Sequence, residues 1–530
     1  MLQNLNKTPV VQMPDLIRRN PLTFAALLIG SLVLFRLIAV IASPLNIGPD
    51  EAQYWRWSRE LDWGYYSKPP LIAWMISLTT NIFGHSEWGI RFYAPIGHGF
   101  VAFFLFLLGK KAFDIRTGSW AALIYMMMPA VWLSSNIIST DGLLLPCWTA
   151  AITLLWYQRD NATWLKAALM GIAIGFAFMA KYAAIYILVG IMLTMLIDWP
   201  TRRAMLSFKG LATILAAAIV MTPNILWNIN NDLATLSHTA DNANWENSSF
   251  NLSNLIKFFQ DQMGVFGPIS FLILLLGLLF ILPKTDNESV KKDRWFLCFV
   301  LPALIIIAGQ AFVSRAHANW AASAYPAASV LVAAWVLRAN WTKLMKVGLA
   351  FNASIGLLMT AMAISPSFAD KIGTSNSIKR ARGWEASVEE IQKAASAIEA
   401  QGIVFDEREF WHGMDYYGEE LDAPPPHYLW QRHNTPHAFA ESFAPIPKNN
   451  DDIFLIASLR PNFIARMRED FETLEAVGRI DIPIGGKHKR HFCLYKATKY
   501  SPVDRTRDYE IRMRDLNEQC PFEENPISIK

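Results

Sequence analysis

The sequence predicts a polytopic α-helical membrane protein with a C-terminal soluble α/β domain. Of its 530 residues, 53% are hydrophobic and only 17% charged. Several uninterrupted apolar runs reach the roughly 20 residues needed to cross a hydrocarbon core of about 30 Å. From residue 366 onward the composition becomes that of a soluble protein. The chain therefore divides into a membrane domain over 1–365 and a soluble domain over 366–530. The net charge of +4 gives no reason to expect nucleic acid as a partner.

The first apolar run, 23–43, follows Arg18-Arg19 and lacks a small-residue cleavage exit, so it reads as an uncleaved anchor with a cytoplasmic N-terminus. Ten more candidate spans follow at 93–109, 118–136, 141–157, 166–180, 183–198, 209–226, 264–282, 295–313, 321–338 and 344–364. With the N-terminus inside, alternate connections carry Lys110-Lys111 and Arg116, Arg159 and Lys166, Arg202-Arg203 and Lys209, Lys284 through Arg294, and Arg338 with Lys343. The opposite connections are poor in Lys and Arg, apart from Arg56, Arg59, Lys68 and Arg91 in the long first one. This is the positive-inside pattern, and an odd number of spans puts the soluble domain outside. The assignment depends on cutting one hydrophobic region at Lys181-Tyr182; merging the two halves would invert everything downstream.

Residues 44–92 are too polar to span and too aromatic for a plain loop. Pro49-Asp50-Glu51 reads as a helix start, with proline early and acids in the first turn. A second helix begins at Lys68-Pro69-Pro70 and runs through Leu78. Both are expected to lie along the membrane surface, with Tyr54, Trp55, Trp57, Trp63, Tyr65 and Tyr66 forming an interfacial belt. Beyond 366, a helical period over 384–400 leading into Ile403-Val404-Phe405, a second helix-like stretch, the Pro-rich 423–426 and strands near 453–458 and 491–496 suggest a small α/β unit. No glycine-rich phosphate loop accompanies them. Cys147 and Cys298 read as small core residues. Cys493 and Cys520 share the polar part, where an extracytoplasmic setting permits a disulfide without requiring it.

The first outer loop holds the chemistry. Asp50 and Glu51 point about 100° apart on a helix, so only one easily faces a given site; the plain alternative is that both cap the helix and complement its dipole. Lys68 either snorkels to the headgroups or, held by two prolines, places an ammonium against a lipid phosphate. Asp141 sits at the outer end of a span, where it is equally read as an N-cap. Arg315, His317 and Asn319 alternate in a short outer turn and could converge on one anion; otherwise they form an ordinary basic loop end. Arg36, inside the first span, would cost at least about 2.5 kcal/mol facing lipid, so it should turn inward to a structural partner.

Taken in order, Pro49-Asp50-Glu51, Trp63-Gly64-Tyr65-Tyr66-Ser67-Lys68-Pro69-Pro70, Phe83-Gly84 through Gly89-Ile90-Arg91, Ser139-Thr140-Asp141, Ala180-Lys181-Tyr182, Pro223 through Asn228 and His317-Ala318-Asn319-Trp320 resemble the GT-C superfamily of polyprenyl-phosphate-sugar glycosyltransferases. The resemblance is to its bacterial branch of lipid A aminoarabinose transferases and rhizobial galacturonosyltransferases, related to protein O-mannosyltransferases. It covers roughly 46–330. It implies a GT-C fold of about eleven transmembrane helices with interfacial helices in the first outer loop. It also implies an inverting transfer of sugar from a polyprenyl-phosphate donor to lipid A, lipopolysaccharide core or another lipid or glycan acceptor, among membrane lipids and without a cofactor or metal.

By that resemblance Asp50, beside Glu51, is the catalytic acid, Lys68 meets the carrier phosphate, and Asp141 is a second outer-face acid. Arg315, His317, Asn319 and Tyr66 complete the expected substrate site. Two rival readings are a protein O-mannosyltransferase-like enzyme and, in a different class, a transporter or flippase. The latter is disfavoured because no internal repeat is visible and the polar residues gather at one face. No catalytic constellation is visible after 366, so the soluble domain is expected to handle the acceptor and not the chemistry.

Overall fold

The computed structural model describes residues 20–233, 235, 250–281, 287–421, 424–448 and 451–522. Arg18, Arg19, Lys284 and Ala423 lie outside the described residues. Helix occupies every expected apolar stretch. In chain order these are α1 (Pro21–Ile41), then α2 (Pro49–Arg59) and α3 (Leu71–Phe83) in the first long connection, followed by α4 (Tyr93–Ala112), α5 (Ile115–Met126) and α6 (Thr140–Asp160). After them come α7 (Trp164–Ala180), α8 (Ile185–Ile197), α9 (Phe208–Asn230), α10 (Leu252–Phe266), α11 (Pro268–Leu276), α12 (Asn287–Val313), α13 (Tyr325–Arg338) and α14 (Thr342–Ile364).

Among the described residues six helices are long and apolar enough to cross a membrane alone, and α10 with α11 forms a pair bent by 114° that would make a seventh. The rest are shorter or interrupted. Pro129 breaks the stretch after α5, and Lys181, in extended conformation, ends α7 before α8. The cut at Lys181-Tyr182 is thus present. The sequence reading missed α10. Its sharp turn into α11 passes through Gly267 at φ 91°, where a Cβ would also collide with the Asn352 side chain at 2.2 Å; only glycine satisfies both demands.

Charged connections gather at two ends of the bundle. At one end Lys111 pairs with Asp160 at 3.1 Å, Arg159 with Asp198 at 2.8 Å, and Arg338 with the buried Asp293 at 2.6 Å. These are the connections the basic-residue pattern put on one side. At the other end the 44–92 connection meets Ile138, Asn224 and the C-terminal part. Arg36 is buried, as expected, and gives its guanidinium to the Met126 carbonyl and the face of Trp132.

The aromatic belt is corrected. Tyr54, Trp55, Trp57 and Tyr65 are buried, while Trp63 remains exposed. Trp57 stacks on Tyr65 with ring centres 4.9 Å apart, and Trp55 donates to His85 Nδ1 at 3.0 Å. They are buried because a C-terminal helix lies over α2, where the sequence suggested open interface.

Beyond α14, α15 (Trp384–Ala397) and α16 (Arg408–Tyr417) accompany β1 (Gly402–Phe405), β2 (His427–Leu429), β3 (Ile453–Ser458), β4 (Phe471–Pro483) and β5 (Lys489–Tyr500). They form one five-stranded sheet of order β2-β1-β3-β5-β4. β1 is parallel to both β2 and β3, whereas β5 is antiparallel to both β3 and β4. β4 escaped sequence reading because a register shift between Ala476 and Gly478 breaks its alternation. Cys493 and Cys520 are disulfide-bonded.

Small residues set the contact of α7 with α9. An added Cβ on Gly171 would lie 2.2 Å from the Thr213 carbonyl oxygen, and one on Gly175 would lie 2.6 Å from Val220, so α7 meets the α9 backbone at the first glycine and a side chain at the second. Gly171→Leu is expected to lower the melting temperature of the detergent-solubilised protein, an overpacking cost of about 1–3 kcal/mol. Gly30→Leu, where nothing lies within 4 Å, should leave it unchanged.

Candidate active site

The two adjacent acids of α2 have separate environments. Glu51 is buried. Its Oε2 accepts from the Gly48 amide at 2.8 Å and from Arg91 Nη2 at 2.7 Å. Its Oε1 accepts from Arg91 Nε and the Ile138 amide, each at 2.9 Å. Arg91 also donates to the carbonyls of Leu45 and Asn46. Glu51 is therefore fully committed to holding the chain.

Asp50, turned away by the helical step, keeps a side chain 64% exposed and pairs with Arg408 Nη2 at 2.9 Å. Arg408 Nη1 in turn donates to Gln53 Oε1 at 3.0 Å. A residue of the C-terminal sheet domain thus pairs with the candidate reactive acid, a contact the sequence did not suggest. Around that contact Tyr417 accepts from the Ile47 amide at 2.7 Å, and Tyr416 donates to the His85 carbonyl at 2.6 Å.

Asp141 stands in the first turn of α6, but Ser139 does the capping by accepting from the Gly142 amide. The N-cap reading of Asp141 is corrected. Its carboxylate, nearly buried, accepts from Lys181 Nζ at 2.8 Å through one oxygen and from Asn319 Nδ2 at 2.7 Å through the other. Three distant segments thereby meet at one acid.

Lys68 is half-buried just before α3, its carbonyl accepting from the Tyr65 amide. Among the described residues its ammonium pairs with no carboxylate. Burial pulls its pKa below that of an ordinary lysine; the positive charge of Lys181 adds to this, and Asp50 opposes it. Tyr54 occupies the same electrostatic neighbourhood. Burial, reinforced by Asp50, pushes its phenol far up, with Asp141 and Glu51 adding to the effect.

Asp50, Lys68 and Asp141 are thus brought into one neighbourhood with Tyr54, Lys181 and Arg408. Of the late turn, Asn319 reaches this cluster through Asp141. Arg315 and His317 stay exposed; the Arg315 carbonyl accepts from Gln310, and the His317 ring packs against Trp320 at 5.3 Å. The expected convergence of all three on one point is not seen. Tyr66 directs its hydroxyl to the Pro436 carbonyl at 3.4 Å.

Sequence reasoning missed Lys181 as a site residue, although a lysine interrupting an apolar run is a signal. For Arg408 no signal was available. No group of three or more His, Cys, Asp or Glu among the described residues could hold a metal.

The chain has relatives. A family profile described as dolichyl-phosphate-mannose-protein mannosyltransferase matches residues 67–227. A lipid A galacturonosyltransferase, RgtD of Rhizobium johnstonii, is 34% identical over 345 residues, covering 64% of this chain and 71% of its own length. The chain belongs to the GT-C superfamily of polyprenyl-phosphate-sugar glycosyltransferases. This GT-C enzyme is also 28% identical to an undecaprenyl phosphate-alpha-4-amino-4-deoxy-L-arabinose arabinosyl transferase of Proteus mirabilis, over 38% of the chain and 39% of the relative. In fold it is similar to ArnT from Cupriavidus metallidurans, solved in the apo state, with a TM-score of 0.62 at 13% identity, covering 90% of this chain and 98% of ArnT. The ArnT structure bound to undecaprenyl phosphate gives a TM-score of 0.61.

The division of labour between the adjacent acids has a direct test. Glu51→Gln removes the charge opposite a buried arginine and should destabilise the protein by about 3–5 kcal/mol, seen as a lower melting temperature. Asp50→Asn removes an exposed partner and should melt like the parent.

Proposed function

We propose that the chain transfers one sugar from a polyprenyl-phosphate carrier to lipid A, with inversion, at the periplasmic face of the inner membrane. The observation that carries this reading is the meeting of Asp50, Lys68, Asp141 and Lys181 at the end of the bundle opposite its basic connections. The disulfide between Cys493 and Cys520 supports an oxidising compartment for the sheet domain. The likeness to a lipid A galacturonosyltransferase makes galacturonic acid the first sugar to try.

In this scheme the carbon–oxygen bond between the sugar and the carrier phosphate breaks as the acceptor oxygen bonds to the same carbon from the opposite side. Asp50 takes the acceptor hydroxyl proton. Where the acceptor is itself a phosphate, Asp50 only orients it. The departing phosphate gains negative charge, and Lys68 lies where it can meet that charge with its ammonium. Asp141 keeps Lys181 and Asn319 in place through its two short contacts. Arg408 fixes the rotamer of Asp50, which makes the domain over 366–530 part of the catalytic unit.

Purified enzyme in nanodiscs, given a polyprenyl-phosphate galacturonic acid donor and lipid A, should yield lipid A heavier by one hexuronic acid, and lipid A from a deletion strain should lack that increment. Asp50→Asn should abolish transfer, and Arg408→Ala should cut the turnover rate while leaving carrier binding intact. Unaltered transfer by Asp50→Asn would end this mechanism. A reporter fused after residue 370 should be active only on the periplasmic side.

The lowered pKa of Lys68 fixes the sign of a pH effect. Its ammonium is lost as pH rises through a value below the ordinary 10.5. Affinity for polyprenyl phosphate should therefore fall with rising pH earlier than a normal lysine would allow, and Lys68→Arg, which stays charged, should flatten that fall.

A further inference from the structure

A second cationic site lies on the sheet domain, away from the cluster around Asp50. An open cavity of about 300 Å³ is lined by Lys379, Arg380, His488, Lys489 and Arg490, with Glu409 as its one acid. Among the described residues Lys379, Arg380 and Lys489 have no carboxylate partner. Arg490 is buried and spends its donors on the Gly383 and Arg382 carbonyls and the Ser387 hydroxyl, with its guanidinium 4.3 Å from the Trp384 ring centre. Its charge is thus held by neutral groups and remains unneutralised. Four cations against one acid in a concave surface form a standing attraction for an anion.

The fold puts this cavity beside the bundle. α14 ends at Ile364, and Asp370, six residues on, pairs with Arg382 at 2.8 Å. The tip of the β4–β5 hairpin rests on that pair so closely that a Cβ on Gly485 would lie 2.0 Å from Arg382 Nη1. The cavity opens between this clasp and the first turn of α16. Glu409 and Phe410 in its wall directly follow Arg408, the residue that holds Asp50. The cavity and the candidate reactive acid are thus linked through successive residues at the start of α16.

We propose that this cavity receives a phosphate of the acceptor lipid's headgroup, holding the glycolipid while its reacting oxygen is presented to Asp50. The assignment of the lipid rests on the reading of lipid A as acceptor; the preference for a phosphate rests on the cavity alone. Arg380 and Lys489, which are exposed, and Lys379, which is half-buried, supply charge-assisted contacts, and Glu409 tunes them down.

The test uses the full chain in nanodiscs and native mass spectrometry with bis-phosphorylated lipid A, its phosphatase-treated form, inorganic phosphate and polyprenyl phosphate. The triple variant Lys379→Ala, Arg380→Ala, Lys489→Ala should bind bis-phosphorylated lipid A about tenfold more weakly. Glu409→Gln should bind it more tightly, a gain that misfolding cannot produce. Dephosphorylated lipid A should not distinguish the variants, and polyprenyl phosphate should bind all of them equally. Binding of bis-phosphorylated lipid A that ignores the triple substitution would overturn the site. Competition by inorganic phosphate as strong as that of the lipid would overturn the headgroup assignment, leaving a free-phosphate site. If no sugar reaches lipid A in the transfer assay yet the triple variant still loses lipid affinity, the proposed reaction falls while the site stands. Transfer with undiminished lipid affinity in the triple variant would do the reverse.

Discussion

The buried pair of Glu51 and Arg91 is the contact on which the outer end of the bundle depends. Two charges removed from water are stable together only when the remaining donors and acceptors are also met. Here Glu51 accepts from Gly48, Ile138 and twice from Arg91, and Arg91 covers the carbonyls of Leu45 and Asn46. One ion pair thereby ties the end of the first span, the start of α2 and the strap before α6. Because Glu51 is immobile, its neighbour Asp50 has a fixed direction without needing buried contacts of its own. In the proposed mechanism the exposed acid is positioned by an adjacent one that is buried.

The second constraint is the docking of α16 on α2. Arg408 reaches Asp50 and Gln53, Arg59 pairs with Glu419 at 3.3 Å, and Tyr416 and Tyr417 bond to the first outer connection. Several of these contacts are solvent-exposed and individually weak. The aromatic packing of Trp55 on Tyr416 and of Trp57 on Phe439 adds buried area to them. The sheet domain therefore covers the aromatic residues of α2, which would otherwise face water or headgroups.

Much of this was readable from sequence wherever a charge stood out against an apolar background. Asp50, Lys68 and Asp141 lie at the ends of hydrophobic runs, where charges are conspicuous. Arg408 lies at the start of a helix in a domain rich in charges, and nothing local separates it from Arg432 or Arg460. Its importance arises from tertiary docking between residues more than 350 positions apart. The aromatic residues misled for the same reason, since Trp55 and Trp57 look like interface anchors until a second domain covers them. The β4 strand was hidden by its bulge, and α10 by the apolar run that follows it.

The two lysines of the candidate site differ in how their charge is compensated. Lys181 is matched by Asp141 at 2.8 Å, a neutralised pair that can organise Asn319 but has little charge to spare. Among the described residues Lys68 has no such partner, and it is held, half-buried, within the field of Lys181. An uncompensated ammonium in a poorly hydrated site raises the free energy of the empty enzyme. A phosphate arriving there relieves that cost and forms a charge-assisted bond roughly twice as strong as a neutral one. The relief is largest when the phosphate bears its full charge, after the sugar has left. In the proposed scheme the unpaired lysine would favour the departing carrier over the loaded donor, which is the direction transfer requires.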